Sequence, residues 1–106
     1  MSADPFVRDS KRRIEVFSRL ESHLARLAEV VRTLDPDAEV YLFGSVAEGR
    51  HLISSDVDVL VVTDRLRPGE VIASLKDEGF DDPFEIHVIG SELLDLYARR
   101  SKLVRL

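Results

Sequence analysis

Residues 43–62, FGSVAEGRHLISSDVDVLVV, constrain this chain more than any other stretch. The run at 57–63, VDVLVVT, is β-branched and apolar and reads as the strongest strand. A shorter strand at 38–43, AEVYLF, runs directly into Gly44-Ser45. Residues 44–55 are rich in Gly and Ser and read mostly as loop, with room for one helical turn after Gly44. Ten residues after Gly44-Ser45 come Asp56 and Asp58, at the head of the second strand. Side chains two apart on a strand point to one face. The two carboxylates are therefore expected side by side at the strand's N-terminal edge.

Two carboxylates held that close repel, and one must take up a proton unless a cation lies between them. A hard divalent ion such as Mg²⁺ prefers oxygen donors and keeps water and substrate phosphates in its shell. The Gly44-Ser45 turn supplies the complementary half. Glycine lets the backbone approach an anion closely, and successive N–H groups in a turn form an anion-binding concavity. The Ser45 hydroxyl adds a donor for a phosphate oxygen. Alone, Gly-Ser is an ordinary turn and Asp-x-Asp an ordinary strand edge. Together, with this order and spacing, they describe a nucleoside triphosphate site.

The rest of the chain builds one small α/β domain. Apolar residues at Ile14, Phe17, Leu20, Leu24, Leu27, Val31 and Leu34 recur every three or four positions. They predict one long amphipathic helix from about residue 10, capped by Asp9 or Ser10. Asp35-Pro36-Asp37 ends it. Residues 68–78 predict a short helix with Pro68 in its first turn and Gly79 as its stop. FEIHVI at 84–89 alternates as a third strand, and Ser91 caps a last helix through about residue 104. The expected order is α-β-β-α-β-α, with residues 1–9 a flexible N-terminus and 10–106 a single domain. The long first helix is expected to overhang so small a sheet and to offer a dimer or partner surface.

Composition removes several functions. The chain has 106 residues and no cysteine, so disulfides, zinc–thiolate sites and thiol catalysis are excluded. No apolar run approaches the roughly 18 residues of a membrane span. The opening MSADPF has no signal-peptide pattern, so a cytoplasmic protein is expected. The net charge of −5 is uneven. Residues 35–96 carry fifteen acidic against four basic side chains, and residues 97–106 carry four basic and none acidic. An acidic middle repels phosphate backbones, so no direct nucleic-acid binding is expected there, whereas a cation site is compatible with it.

Gly44-Ser45, ten residues, then Asp56-x-Asp58 resembles the signature of the polymerase-β-type nucleotidyltransferase superfamily. The Ala47-Glu48-Gly49 step and the loop into Ser55-Asp56 are similar to its minimal branch, the MNT domains of archaea and bacteria. The resemblance covers residues 40–97. It implies a mixed sheet with helices mainly on one face, and transfer of a nucleoside monophosphate to a hydroxyl with release of pyrophosphate. It implies a third carboxylate on a neighbouring strand, for which Glu85 is the candidate, although Asp is usual there. Phe84, Ile86 and Val88 would then face the core, and Glu85 and His87 the site. The implied catalytic and metal-binding set is Asp56, Asp58 and Glu85, holding two Mg²⁺ or Mn²⁺ ions. The implied nucleotide-binding set is Gly44, Ser45 and Arg50.

Minimal MNT proteins are commonly paired with HEPN-domain toxins, and characterised ones act as antitoxins by AMPylating a partner tyrosine from ATP. The resemblance therefore implies a metal-dependent adenylyltransferase with a HEPN partner. Two other readings stand beside it. One is a non-catalytic nucleotide-binding module that neutralises a HEPN partner by contact. The other is a small-molecule nucleotidyltransferase working as a homo-oligomer. His87 is a lesser candidate for contact with base, acceptor or metal, and Glu48 for a further acid. Tyr41 and Tyr97 are expected to pack. The basic tail Arg99, Arg100, Lys102 and Arg105 reads as a solvated helix end.

Overall fold

In the computed structural model the backbone is described for residues 5–106 and side chains from Ser10 onward. Helix α1 (Pro5–Ser18) leads into α2 (Leu20–Leu34), then β1 (Glu39–Phe43) and a single helical turn, α3 (Gly44–Ala47). Strand β2 (Val57–Val62), α4 (Pro68–Asp77) and β3 (Phe84–Ile89) follow. A 3₁₀ turn (Ser91–Leu93) opens α5 (Leu94–Arg100), and β4 (Val104–Arg105) closes the chain. The four strands form one mixed sheet in the order β3-β2-β1-β4. β2 runs antiparallel to β1 and parallel to β3, and β4 is antiparallel to β1.

Alternation along the strands sorts side chains onto two faces. Val40, Leu42, Val57, Val59, Val61 and Phe84 join Val16, Leu24, Leu27, Ala28, Val31, Val71 and Leu75 in the main core. That face is covered by α1, α2 and α4, as expected. The other face carries a smaller cluster of Leu60, Val62 and Ile89, packed by Tyr41, Phe43, Leu94, Tyr97 and Leu103. Strand β2 is thus buried on both sides at its C-terminal end, which is why residues 59–62 read as an unbroken apolar run. At its N-terminal end the second face is left to polar groups.

Three elements depart from the sequence reading. The first helix begins at Pro5, ahead of Asp9 and Ser10, and breaks at Arg19 (φ −131°, ψ 37°). The Ser18 hydroxyl donates to the Glu15 carbonyl at 2.7 Å, a local alternative to the helical ladder. The expected single helix is therefore two, α1 and α2. Ile14, placed on the apolar stripe, is 58% exposed. The last helix stops at Arg100. Ser101 is extended (φ −142°, ψ 148°), and Val104 pairs with Leu42 to add the fourth strand. Arg99 and Arg100 do occupy a last helical turn, where the dipole favours them. Arg105 instead lies on the added strand, 3.7 Å from Glu39.

The end of α2 is tied to the end of β2 by a buried polar link. Asp35, only 2% exposed, accepts from the Thr63 hydroxyl at 2.6 Å and from the Asp37 N–H at 3.0 Å. The Thr63 bond, more than any other contact, holds the Asp35 carboxyl below its ordinary pKa. A depressed folded-state pKa contributes stability that is present above the unfolded value of about 3.9 and is lost as pH falls through the folded one. Thr63→Val removes the donor. It is expected to lower Tm by several degrees at neutral pH and to flatten the acid limb, as followed by thermal unfolding across a pH series.

Candidate metal and nucleotide site

Asp58 is the second residue of β2 and lies directly opposite Glu85 of β3 in the parallel register. On its other side it faces Phe43, the last residue of β1. His87, two residues beyond Glu85, shares Glu85's face of the sheet. The three groups gather on the face left open by α1, α2 and α4. One donor atom from each of Asp58, Glu85 and His87 lies within 4.8 Å of the others. His87 Nε2 is 3.5 Å from Asp58 Oδ1 and 3.8 Å from Glu85 Oε1. The imidazole is braced by the Phe43 ring, edge to face at 5.0 Å, and Phe43 by Tyr97 at 5.9 Å. Tyr97 therefore packs, as expected. Tyr41 donates to the Glu39 carboxylate, which raises its pKa and keeps it a neutral hydroxyl.

Gly44 completes the floor. Its φ of +75° suits glycine, and a Cβ there would overlap Asp58 Oδ2 and lie 3.2 Å from Asp58 Cγ. The turn and the carboxylate are in contact through the space a side chain would fill. The turn is closed by Arg50 N–H donating to the Ser45 carbonyl at 2.9 Å and Glu48 N–H to the Gly44 carbonyl at 3.2 Å. The leading N–H groups of a helical turn have no partner inside it, so Gly44-Ser45 presents donors beside Asp58. The Gly44 turn and the Asp58 carboxylate are therefore neighbours.

The donor set fits a divalent cation. Asp58 and Glu85 are adjacent carboxylates whose repulsion a cation relieves. His87 Nε2 is buried and has no hydrogen-bond partner, since 3.5 and 3.8 Å exceed hydrogen-bond length. The nitrogen points between the two carboxylates, at separations a shared cation would accept.

Asp56 stands apart from this group. It lies one residue ahead of β2, and its carboxylate turns to Arg13 of α1, 3.4 Å away, with half of its side chain exposed. Asp56, expected beside Asp58, thus also forms a salt bridge to a helix. Arg13, itself only 17% exposed, also donates to the Ser55 carbonyl at 2.7 Å and to Asp82 at 2.8 Å. Arg12 beside it donates to the carbonyls of Asp82 at 2.5 Å and Gly79 at 2.7 Å. The two arginines strap α1 across the loops that enter β2 and β3. Helical periodicity places both on a polar face and assigns them no partner. The only signal was two adjacent guanidiniums in an otherwise ordinary helix, which spacing cannot assign to loops 40 and 70 residues away. Arg13→Gln keeps a donor but removes the fork and charge, at about 1.5–3 kcal/mol per charged hydrogen bond lost from a shielded site. We expect a lower unfolding midpoint, read by denaturant titration.

Arg50 is two-thirds exposed and pairs with Glu48 at 3.1 Å. The nucleotide-binding candidate Arg50 and the lesser candidate Glu48 thus pair with each other on the rim of the loop. Asp56 and Glu85 do line a common cleft of about 380 Å³ with Lys76, Asp81 and Asp82, between α4 and the edge strand β3.

A four-stranded mixed sheet with a Gly-Ser turn meeting a carboxylate pair across adjacent strands is the architecture of a nucleotide-transferring domain. Comparison with known proteins agrees. The model of the nucleotidyltransferase domain family matches residues 24–104, and the chain belongs to that family. Among solved structures, one described as a "putative nucleotidyltransferase" is 36% identical over 79% of this chain and 97% of its own, with a TM-score of 0.65. Another so described, from Sulfolobus solfataricus, is 24% identical over 88% of this chain and 84% of its own, with a TM-score of 0.60, and bears on the fold. The family transfers nucleotidyl groups from a nucleotide substrate and usually uses divalent metals. Among the described residues no helix is long and apolar enough to cross a membrane.

Proposed function

We propose that this chain is a metal-dependent adenylyltransferase of the minimal MNT type, moving AMP from ATP to a tyrosine hydroxyl of a HEPN-domain toxin and acting as its antitoxin. The observation that carries the transferase reading is the in-register pair Asp58–Glu85 against the Gly44-Ser45 turn. Asp58 and Glu85, with Asp56 from the neighbouring loop, are the residues that would hold Mg²⁺ or Mn²⁺. When bound, such ions neutralise phosphate charge and lower the pKa of a coordinated hydroxyl.

The chain's own residues position the reactants. The backbone of Gly44-Ser45 and the Ser45 hydroxyl hold triphosphate oxygens, and Arg50 adds charge from the loop rim. The open face beyond Glu85 admits the acceptor. The acceptor oxygen attacks the α-phosphorus in line, the bond to the bridging oxygen breaks, and pyrophosphate leaves with the electron pair. The acceptor's proton passes to solvent or to the Glu85 carboxylate, which is more than half exposed on the side the acceptor approaches. Positioning and charge neutralisation supply most of the rate in such a transfer.

A contact-only antitoxin is the second reading, favoured by one observation: Asp56 is engaged by Arg13 rather than gathered with Asp58. Host extract incubated with α-labelled ATP and Mg²⁺ separates the two. A labelled band, absent with Asp58→Asn and yielding AMP-tyrosine on hydrolysis, is the expected result. No labelled protein, with the toxin still neutralised, would establish the contact-only module instead.

A further inference from the structure

We propose that His87 Nε2 is a direct metal ligand beside Asp58 and Glu85, so that the site takes a first-row transition ion such as Mn²⁺ in preference to Mg²⁺. The inference rests on reading this face as the metal site and goes further by assigning a nitrogen donor and, through it, the class of ion.

Geometry argues for the assignment. Nε2 stands 3.5 Å from one carboxylate oxygen and 3.8 Å from another. Neighbouring donors around an ion with bonds of about 2.1 Å lie about 3.0–3.5 Å apart, between octahedral and tetrahedral geometry. The observed separations are thus too long for hydrogen bonds and close to the edges of a coordination polyhedron. The Nε2 atom is buried and makes no hydrogen bond, although a third of the side chain is exposed; a buried polar atom without one costs free energy unless something else satisfies it. The ring packs edge to face on Phe43 at 5.0 Å with an interplanar angle of 71°. Asp58 Oδ1 points toward His87, and Oδ2 fills the space a Cβ at Gly44 would take.

Chemistry then selects the ion. Mg²⁺ prefers oxygen donors, commonly one or two carboxylates with water and phosphate. An imidazole suits first-row transition ions such as Fe²⁺, Ni²⁺ and Zn²⁺; Mn²⁺ is the weakest binder of that series and shares the carboxylate ligands with Mg²⁺, so a mixed set of two carboxylates and one imidazole can hold it while disfavouring Mg²⁺. Two carboxylates and one imidazole on a single face, open on the other side, leave positions for phosphate and acceptor oxygens.

The test uses the full chain with Mn²⁺ alone and electron spin-echo spectroscopy, on unlabelled protein and on protein carrying [¹⁵N]histidine. The expected result is a ¹⁴N coupling that becomes a ¹⁵N coupling on labelling and is lost in His87→Gln. Competition should show Mn²⁺ favoured over Mg²⁺ by at least about tenfold, falling toward parity in that variant. His23→Gln and His51→Gln should keep the coupling, which assigns it even if His87→Gln fails to fold. Bound Mn²⁺ without nitrogen coupling, or coupling that survives in folded His87→Gln, overturns the proposal. Failure to bind Mn²⁺ at all overturns it too. A parallel nucleotidyl-transfer assay with Mg²⁺ shows whether the transferase reading falls with it or stands without the nitrogen ligand.

Discussion

Asp58→Asn is expected to lower nucleotidyl transfer by about 100- to 1,000-fold, the scale on which removing one central electrostatic contact acts in such sites. The residue touches every part of the candidate machinery. It is opposite Glu85 in the sheet register, 3.5 Å from His87 and in contact with the Gly44 backbone. The amide keeps the shape and removes the charge. Stability should move the other way. In metal-free protein the variant loses a carboxylate from beside Glu85, so repulsion falls and Tm should stay level or rise. Divalent ions should raise the Tm of the parent chain but not of the variant, because a ligand stabilises only the state that binds it. Steady-state transfer assays and thermal unfolding with and without Mg²⁺ or Mn²⁺ check both halves. Loss of activity together with loss of fold would show Asp58 to be structural.

Gly44→Ala is expected to fail in both respects. An L-residue in the left-handed region costs about 1–2 kcal/mol, and the new methyl would overlap Asp58 Oδ2. Either the turn unwinds or Asp58 rotates away from Glu85 and His87. A displacement of about 1 Å at a reacting centre costs about 100-fold in rate. The backbone term alone should lower Tm by about 4–15 °C for a domain of this size. Gly49, also at positive φ, has nothing within 4 Å of a Cβ, so Gly49→Ala should show the backbone cost without the loss of activity. That pair of variants separates turn strain from the collision with Asp58.

The sheet and the turn were legible because their physics is local. Alternation in FEIHVI sets Glu85 and His87 on one face and Phe84 and Ile86 on the other, and β3 spans those same residues. The β-branched run of β2, the Gly44 turn and the Pro68 start of α4 follow from single-residue preferences. Non-local effects were illegible. No Gly or Pro marks the break at Arg19, and the contacts that hold α1 come from loops far along the chain. The fourth strand is two residues long and exists only because β1 offers an edge. Asp56 illustrates the same limit. Its spacing from Asp58 cannot show the salt bridge to Arg13 of a distant helix. His87 carried a weak signal from alternation, and its weight comes from being orphaned between two acids.

The central claim is nucleotidyl transfer that depends on Asp58 and a divalent ion. The most direct measurement incubates the protein and its host extract with ATP labelled at the α-phosphate, and in parallel at the γ-phosphate, with Mg²⁺ or Mn²⁺. The account predicts that α-label joins the acceptor while γ-label leaves as pyrophosphate, and that chelation or Asp58→Asn abolishes both. Transfer of the γ-label, or α-label transfer undiminished in Asp58→Asn, would contradict it.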